Sequence, residues 1–216
     1  MIISHGRRYI FVHAPKTGGT SLALALEARA MKDDIMLGDT PKAIKRRHRV
    51  KDVQTSGRLW KHATLRDIEG LVSRAEMAEY FVFTLVRNPW DRMVSYYHWL
   101  RAQGFDHPAV TLAKSSDFAG FLRAPTTQTS FRATPFTSYV TDAEGQDLGN
   151  LFIRLEHLEE DLSVLEQHLG FSLRPLPHEN RSDRGSDYRA AYTDELVDIV
   201  AKCCASDIKR FGYKFG

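Results

Sequence analysis

Near its beginning the chain combines an apolar run with a turn of small and polar residues, in the order Tyr9-Ile10-Phe11-Val12-His13-Ala14-Pro15-Lys16-Thr17-Gly18-Gly19-Thr20-Ser21. The first part is β-branched and aromatic, which predicts a buried strand over 9–13. The residues from 20 to 30 are rich in Ala and Leu, which predicts a helix. A strand, a small-residue turn and a helix in this order are typical of an α/β protein.

The turn itself has the chemistry of an anion-binding loop. Glycine lets the backbone approach a ligand closely and take positive φ, as Gly18 and Gly19 permit here. Successive backbone N–H groups form a concavity for an anion, and the positive end of the following helix adds to it. No Asp or Glu occurs between residues 9 and 26, and the polar side chains of the loop are Lys16, Thr17, Thr20 and Ser21. The sequence therefore predicts a phosphate-binding loop.

Two common phosphate motifs do not fit this loop. A Walker A loop reads G-x-x-x-x-G-K-[ST]. When it is aligned on Lys16 and Thr17, its two glycine positions hold Pro15 and Ile10. The G-x-G-x-x-G dinucleotide fingerprint is also absent. A P-loop-like nucleotide kinase and a non-enzymatic nucleotide- or nucleic-acid-binding module stay open as alternatives at this point.

Other parts of the chain predict further strands and helices. The predicted strands are 80–86 and 151–154, and the predicted helices are 65–78, 89–101, 117–123, 156–169 and 193–211. Asn88 is a good N-cap for the helix that begins at Pro89, and Gly170 suits the end of the helix that precedes it. Together these elements predict a single α/β domain over residues 1–216, with a parallel β-sheet flanked by helices and a P-loop-like strand, phosphate loop and helix.

Residues 32–58 are polar and predict a basic loop region with one surface helix. Six lysines and arginines fall between residues 42 and 51, namely Lys42, Lys45, Arg46, Arg47, Arg49 and Lys51. Such a run suits either an anionic partner or a solvated basic face, and the sequence leaves both open. Because no Phe, Trp or Tyr is interleaved with these charges, a nucleic-acid surface is disfavoured.

Composition excludes several classes of protein. The chain has 216 residues, of which 43% are hydrophobic and 26% charged, so it is not disordered, collagen-like or a coiled-coil rod. Its net charge of +3 does not by itself imply nucleic acid. Cys203 and Cys204 are adjacent, a spacing that rarely satisfies disulfide geometry, and neither a signal-peptide pattern nor a membrane-spanning apolar run is present. We therefore expect a cytoplasmic protein without a transmembrane segment and without a nucleic-acid partner.

Several motifs resemble those of the sulfotransferases that use 3′-phosphoadenosine 5′-phosphosulfate. The resemblance is closest to the carbohydrate-type family, which includes the chondroitin and heparan 2-O enzymes and many bacterial members. Residues 11–21 resemble that family's 5′-phosphosulfate loop, and residues 83–95 resemble its 3′-phosphate motif. Weaker matches lie at 152–161, at 178–182, which reads His178-Glu179-Asn180-Arg181-Ser182, and at 211–213. The matches follow the family's order along the chain.

The resemblance implies an enzyme that moves a sulfuryl group from this nucleotide to a hydroxyl or amine by in-line displacement. It implies that the 5′-phosphosulfate is held by Lys16, Thr17, Gly18, Gly19, Thr20 and Ser21. It implies that Arg87 and Ser95 hold the 3′-phosphate, although an ion pair of Arg87 with Asp91 is the alternative. It implies no metal ion, because a sulfuryl group carries less negative charge than a phosphoryl group and Lys16 with backbone donors can suffice. The acceptor can be a small molecule, a lipid or a carbohydrate, and the sequence predicts neither its identity nor the oligomeric state.

An acceptor hydroxyl must lose a proton, and histidine suits this task near pH 7. His62 resembles the position of the base in the 2-O enzymes, although Lys61 replaces the glycine that is common before it. The resemblance therefore implies Lys16 and His62 as the catalytic residues. The alternative for His62 is a polar histidine at the surface or at the entry to a helix, and His178 is the second candidate base. His13 lies next to the loop, and we expect its ring to point into the sheet.

Overall fold

A computed structural model describes residues 1–177 and 187–216. In this part of the chain one sheet is formed by β1 (Ile2–Ser4), β2 (Tyr9–Val12), β3 (Ile35–Met36), β4 (Phe81–Val86) and β5 (Gly149–Arg154). The strands lie in the order β3-β1-β2-β4-β5. β2, β4 and β5 run parallel, whereas β1 is antiparallel to both β2 and β3.

The sheet confirms the predicted α/β class but is mixed rather than parallel. The three strands that the sequence predicts are the parallel ones, β2, β4 and β5, and they are neighbours in the strand order. The two antiparallel strands are not predicted, because runs of three and two residues are too short to show a period. The loop that is predicted to bind phosphate follows β2. This strand lies between the antiparallel strand β1 and the parallel strand β4.

The helices of the described residues are α1 (Gly19–Ala28), α2 (Pro41–Arg46), α3 (Arg74–Glu79), α4 (Pro89–Arg101), α5 (Pro108–Ser115), α6 (Phe118–Arg123), α7 (Pro125–Ala133), α8 (Phe136–Tyr139), α9 (Leu158–Leu169), α10 (Asp194–Cys203) and α11 (Ala205–Phe211). Short 3₁₀ helices cover Arg47–Val50, Leu155–His157 and Tyr188–Ala191. Within the described ranges, none of these helices is both long and apolar enough to cross a lipid bilayer.

The described residues form two compact units. The first comprises Met1–Val86 and 136–177, and it holds the sheet. Its core joins the sheet to α1 and α9 through side chains such as Phe11, Leu26 and Leu165. The second comprises Arg87–Pro135 and 187–216, and its core joins α4, α6, α7 and α10 through side chains such as Trp90 and Phe131. A single domain over residues 1–216 stays a prediction.

The predicted helix over 65–78 is wrong in its first half, because local hydrogen bonds favour turns there. The Asp67 carboxylate accepts from the backbone N–H of Thr64 at 2.7 Å and from its hydroxyl at 2.9 Å. Gly70 then takes a left-handed φ of +100°, which a helix does not allow. Only at Ser73 does a capping box with Glu76 begin α3.

The helical second unit contains more breaks than the sequence predicts. The helix predicted over 193–211 divides into α10 and α11, because Cys204 leaves helical geometry with φ −112° and ψ 24°. Between residues 104 and 149 the sequence predicts one short helix, and that helix is confirmed as α6, with Asp117 as its N-cap. The structure adds α5, α7 and α8 in the same region, which are short helices without a sustained period.

Candidate functional site

The loop between β2 and α1 adopts a left-handed backbone at two positions. Lys16 has φ +67° and Gly18 has φ +78°. Glycine takes this conformation freely, but at a lysine it costs of order 1 kcal/mol or more. Strain of this kind persists only where the surrounding structure holds it, and it clusters at ligand-binding and active sites. The backbone therefore marks Lys16 as part of a candidate site.

Thr17 closes the loop from inside. Its side chain is fully buried, and its hydroxyl donates to the carbonyl oxygen of Ala14 at 2.8 Å. The sequence assigns this hydroxyl to a phosphate group, but in the structure its proton is committed to the loop itself. A contribution of Thr17 to anion binding would therefore come from its backbone N–H.

The start of α1 suits an anion. The helix begins at Gly19 with Gly18 as its N-cap, so no side chain caps the first turn, and that turn holds no acidic residue. The positive end of the helix dipole thus meets no negative charge from its own first turn. Thr20 and Ser21 lie in this turn and are half-buried. A loop of donors at such a helix start fits a phosphate or phosphosulfate group.

His13 packs against this loop. A Cβ placed on Gly19 would lie 2.4 Å from Cδ2 of the His13 ring, which is 6% exposed. The same ring stacks on Phe11 with 5.7 Å between centroids and meets His62 edge-on at 4.8 Å. Burial lowers the pKa of His13 well below its ordinary value, so the ring is neutral at physiological pH. The expected position of His13 next to the loop is confirmed, whereas the contact of its ring with His62 is not predicted.

Replacing Gly19 with alanine is expected to destabilise the fold by about 1–3 kcal/mol. The new methyl group would overlap the buried ring of His13, which already packs against Phe11 and His62. Denaturant unfolding measures the loss. Gly104→Ala is the matched control, since nothing lies within 4 Å of a Cβ at that position. Equal stability of the two variants would show that His13 does not fix the geometry of the loop.

His62 has a defined tautomer. Its Nδ1 lies 2.7 Å from the backbone carbonyl oxygen of His13. A carbonyl oxygen only accepts, so Nδ1 carries the hydrogen and donates it, and Nε2 of the neutral ring keeps its lone pair. The arrangement is that of a general base whose orientation is fixed by a second group.

Burial also sets the charge of His62. Desolvation lowers the pKa of His62 to about 4, while the hydrogen bond to His13 opposes this shift. The neighbouring Lys61 lowers this pKa further and itself forms an ion pair with Asp39 at 2.8 Å. At pH 7 the ring is therefore neutral, which is the form that can accept a proton. The helix-entry form of the sequence alternative does not fit, because no helix begins at residue 62, and His62 is half-buried. Its role as the base stays a prediction.

Arg87 belongs to the second unit, and it directly follows β4 in the chain. Its Nε and Nη2 both donate to Oδ2 of Asp91, at 2.8 Å and 2.6 Å, and its side chain is 12% exposed. The ion pair that the sequence gives as the alternative is thus present. Asp91 lies in the first turn of α4, where Asn88 accepts from the backbone N–H of Trp90 at 3.0 Å as the N-cap. The carboxylate therefore holds the guanidinium in one orientation next to a helix start.

Ser95 is the other residue assigned to the 3′-phosphate. It lies in the second turn of α4 and is buried. His178, Arg181 and Ser182 lie outside the described residues.

A family profile described as the Sulfotransferase family matches residues 1–214. The chain belongs to the sulfotransferase family. Among solved structures it is similar to mouse sulfotransferase SULT7A1 complexed with PAP, at 20% sequence identity over 96% of this chain and 68% of that chain, with a TM-score of 0.46. No curated protein matches the chain.

In this member of the sulfotransferase family, the first unit joins the phosphate loop to His62. His13 makes the connection, because its ring lies against Gly19 while its carbonyl oxygen accepts from His62. Sequence motifs locate Lys16 and His62 separately, but they carry no signal for this connection. Within residues 1–177 and 187–216, no group of three or more His, Cys, Asp or Glu side chains is placed to hold a metal ion.

The basic segment has a structural role for part of its charge. Lys42 donates to the carbonyl oxygen of Glu27, at the end of α1. Arg46 donates to the carbonyl oxygens of Met31 and Asp34 at 2.8 Å and 3.0 Å. These cations satisfy backbone carbonyls at and after a helix end, as basic side chains commonly do. The remaining charges of the segment, among them Lys45 and Arg47, are exposed.

Proposed function

We propose that this protein transfers a sulfuryl group from 3′-phosphoadenosine 5′-phosphosulfate to a hydroxyl or amine of a small-molecule, lipid or carbohydrate acceptor. The observation that carries the proposal is the loop before α1, with left-handed Lys16 and Gly18 and an uncapped helix start free of acidic residues, in a chain of the sulfotransferase family. When bound, the nucleotide supplies the sulfuryl group and a phosphate leaving group.

The residues of the loop hold the 5′-phosphosulfate in this proposal. Lys16 places a positive charge on the leaving oxygen, where negative charge develops during transfer. The backbone N–H groups of Thr17 to Gly19 and the first turn of α1 orient the anion, with the hydroxyls of Thr20 and Ser21 as further donors. Arg87 and Ser95 hold the 3′-phosphate, as the resemblance implies.

His62 removes the acceptor proton in the same proposal. Nε2 accepts the proton while Nδ1 keeps its hydrogen bond to His13. That carbonyl oxygen favours the imidazolium that forms, so part of the burial cost is offset when the ring becomes charged. The arrangement holds the ring still and thereby lowers the entropy cost of the proton transfer.

The proposal is tested by sulfuryl transfer from labelled nucleotide to a panel of acceptors, in the presence of a chelator. Calorimetry with 3′-phosphoadenosine 5′-phosphate measures the nucleotide site independently of the acceptor. We expect transfer without a divalent cation and binding of the 3′-phosphorylated product. Transfer of phosphate from ATP with magnesium, and no binding of the 3′-phosphorylated nucleotide, would instead support the nucleotide kinase alternative.

Replacing Arg87 with alanine is expected to weaken binding of 3′-phosphoadenosine 5′-phosphate by about 10- to 150-fold, the effect of one charge-assisted contact. Binding of AMP, which lacks the 3′-phosphate, changes little. Arg154→Ala is the matched control, because Arg154, the last residue of β5, likewise forms a two-bond pair with an aspartate, Asp161, at 2.9 Å and 2.8 Å. Equal losses for both nucleotides would show that Arg87 serves only its pair with Asp91.

The proposal includes a cytoplasmic location. Both cysteines are free thiols, and burial raises the pKa of Cys204 to about 12, which suits a protein that needs no disulfide. Fractionation of cells that express the full-length protein tests this expectation, and recovery in a secreted fraction would contradict it.

A further inference from the structure

Trp60 is exposed and lies next to His62, the residue that we propose as the base. Trp60 is 43% exposed, although burying an indole is one of the larger apolar gains available to a fold. Its ring meets the His62 ring at an interplanar angle of 86°, with 5.1 Å between centroids. A large exposed aromatic surface therefore lies beside the ring that we propose as the catalytic base.

The segment that carries Trp60 is tied down. The backbone N–H of Ser56 donates to the carbonyl oxygen of Glu69 at 2.9 Å, and that of Gly57 donates to Asp67 at 3.1 Å. The carbonyl oxygen of Trp60 accepts from Ala63 at 3.1 Å. These bonds close a loop over 56–69 and fix Trp60 relative to His62. The hydrogen-bonded loop therefore holds the indole in its exposed position.

Arg58 supports the indole ring. Its guanidinium carbon lies 5.4 Å from the ring centroid, over the face of the ring, which is a favourable cation–π position. Among the described residues, Arg58 forms no ion pair with a carboxylate. The arginine thus restricts the ring without a competing carboxylate partner, which favours a preformed binding surface.

We propose that Trp60 is the acceptor-binding residue of this enzyme and that it selects acceptors with a ring, through stacking of that ring on the exposed indole. The inference rests on the proposed function, because it takes His62 as the base. Stacked rings lie about 4.5–7 Å apart between centroids. A ring stacked on the indole would therefore lie close to the His62 imidazole, whose centroid is 5.1 Å from that of the indole.

Two kinds of acceptor share this chemistry: the flat ring of a phenol and the apolar face of a sugar. Both stack on indole, whereas an acyclic alcohol offers no face to stack. Trp60 contributes position and specificity, while the proton transfer belongs to His62. The loss of the indole should therefore raise the KM for the acceptor more than it lowers kcat.

Nuclear magnetic resonance tests the proposal directly, because the three tryptophans give three separate indole N–H signals. The ¹⁵N-labelled protein, saturated with 3′-phosphoadenosine 5′-phosphate, is titrated with 4-methylphenol, with methyl β-glucopyranoside and with glycerol. Trp60→Phe assigns the Trp60 signal. We expect a saturable shift of that signal with at least one ring probe and none with glycerol, and the probe that acts distinguishes a phenol from a sugar.

Trp99 is the internal control, because it is 38% exposed and so is nearly as accessible as Trp60. Equal shifts of the Trp60 and Trp99 signals, or no shift of Trp60 with either ring probe, would overturn the proposal. Failure of the nucleotide to bind would count against the proposed function instead, and the ring titration is read separately from it.

Kinetics give a second test with the acceptor that the transfer assay identifies. Trp60→Ala should raise the acceptor KM roughly two- to tenfold, the range for losing one aromatic stacking contact, with nucleotide affinity unchanged. Trp60→Phe should restore most of the loss, and Trp99→Ala should behave as the wild type. An unchanged KM in Trp60→Ala would contradict acceptor stacking.

Discussion

Replacing His62 with alanine lowers the rate of sulfuryl transfer by about 10²–10⁴-fold, the usual contribution of general base catalysis. The binding of 3′-phosphoadenosine 5′-phosphate is expected to stay nearly unchanged, because in the proposed mechanism the base faces the acceptor and not the nucleotide. Steady-state kinetics and calorimetry on the same preparation measure the two quantities. Loss of nucleotide binding together with activity would identify His62 as a structural residue. No change in either would move the base elsewhere, and His178 would be the next residue to replace.

The pH profile distinguishes this histidine from an exposed one. Burial lowers the pKa of His62 to about 4, so Nε2 stays unprotonated until the pH falls towards that value. The acidic limb of kcat/KM is therefore expected near pH 4, whereas an exposed histidine would place it near pH ~6.5. The limb disappears in His62→Ala, provided that circular dichroism shows the folded state at each pH. A wild-type limb at about pH 6.5 would contradict a partly buried, hydrogen-bonded histidine as the base.

Replacement of His62 with asparagine distinguishes the roles of the two ring nitrogen atoms. The side-chain N–H of asparagine can replace the Nδ1 donor to the His13 carbonyl oxygen but supplies no base. His62→Asn should therefore be more stable than His62→Ala. Its rate of sulfuryl transfer should be as low as that of His62→Ala. His157→Ala is a control for losing an exposed histidine, since His157 is half-exposed and lies 3.6 Å from Glu160. Activity retained in His62→Asn would show that the residue acts only through its hydrogen bond.

The strand, turn and helix of the candidate phosphate loop could be predicted from the sequence because their causes are local. A strand, two glycines, a lysine and an Ala- and Leu-rich helix lie within about twenty residues, and β2 and α1 form where they are predicted. The helix start at Pro89 is equally local, since Asn88 and Pro89 define it without help from the rest of the chain. Predictions of this kind succeed because the residues that determine an element's start lie within one helical turn of it.

The parts that sequence reasoning missed depend on contacts distant in the chain. β1 and β3 are held by pairing with other strands and not by their own pattern. The carbonyl oxygen of His13 fixes the tautomer of His62 across 49 residues, and no motif records that bond. Trp60 is unremarkable in the sequence, and only its exposure and its distance to His62 support the role that we propose for it. The resemblance could therefore suggest His62 as the candidate base, while its orientation and surroundings required the fold.

His13 joins two functions within the first unit. Its ring fills the space that a side chain at Gly19 would need, and its carbonyl oxygen holds His62. A shift of this one residue would disturb the candidate phosphate loop and the proposed base together. We therefore expect Gly19→Ala to lower both nucleotide binding and transfer, in contrast to His62→Ala, which lowers transfer alone. The comparison of the two variants measures how far loop and base are coupled.

Replacing Lys16 with alanine lowers kcat about 100-fold or more, the scale of losing one oriented donor to a developing negative charge. In the proposed mechanism Lys16 interacts most strongly with the leaving oxygen in the transition state, so affinity for the nucleotide in the ground state is expected to fall much less than kcat. Single-turnover transfer and calorimetry separate the two effects. A Lys16→Ala variant with wild-type kcat would exclude the lysine from the chemistry.

Lys16→Gly separates the charge of this lysine from its backbone strain. The φ of +67° costs free energy for lysine and for alanine but not for glycine, so Lys16→Gly relieves the strain and should be at least as stable as Lys16→Ala. If the charge is what matters, both variants lose kcat to the same extent, and Lys16→Arg recovers part of it. If instead Lys16→Gly transfers sulfate at the wild-type rate, the lysine serves the conformation of the loop, and the charge on the leaving oxygen must be met by the backbone N–H groups alone.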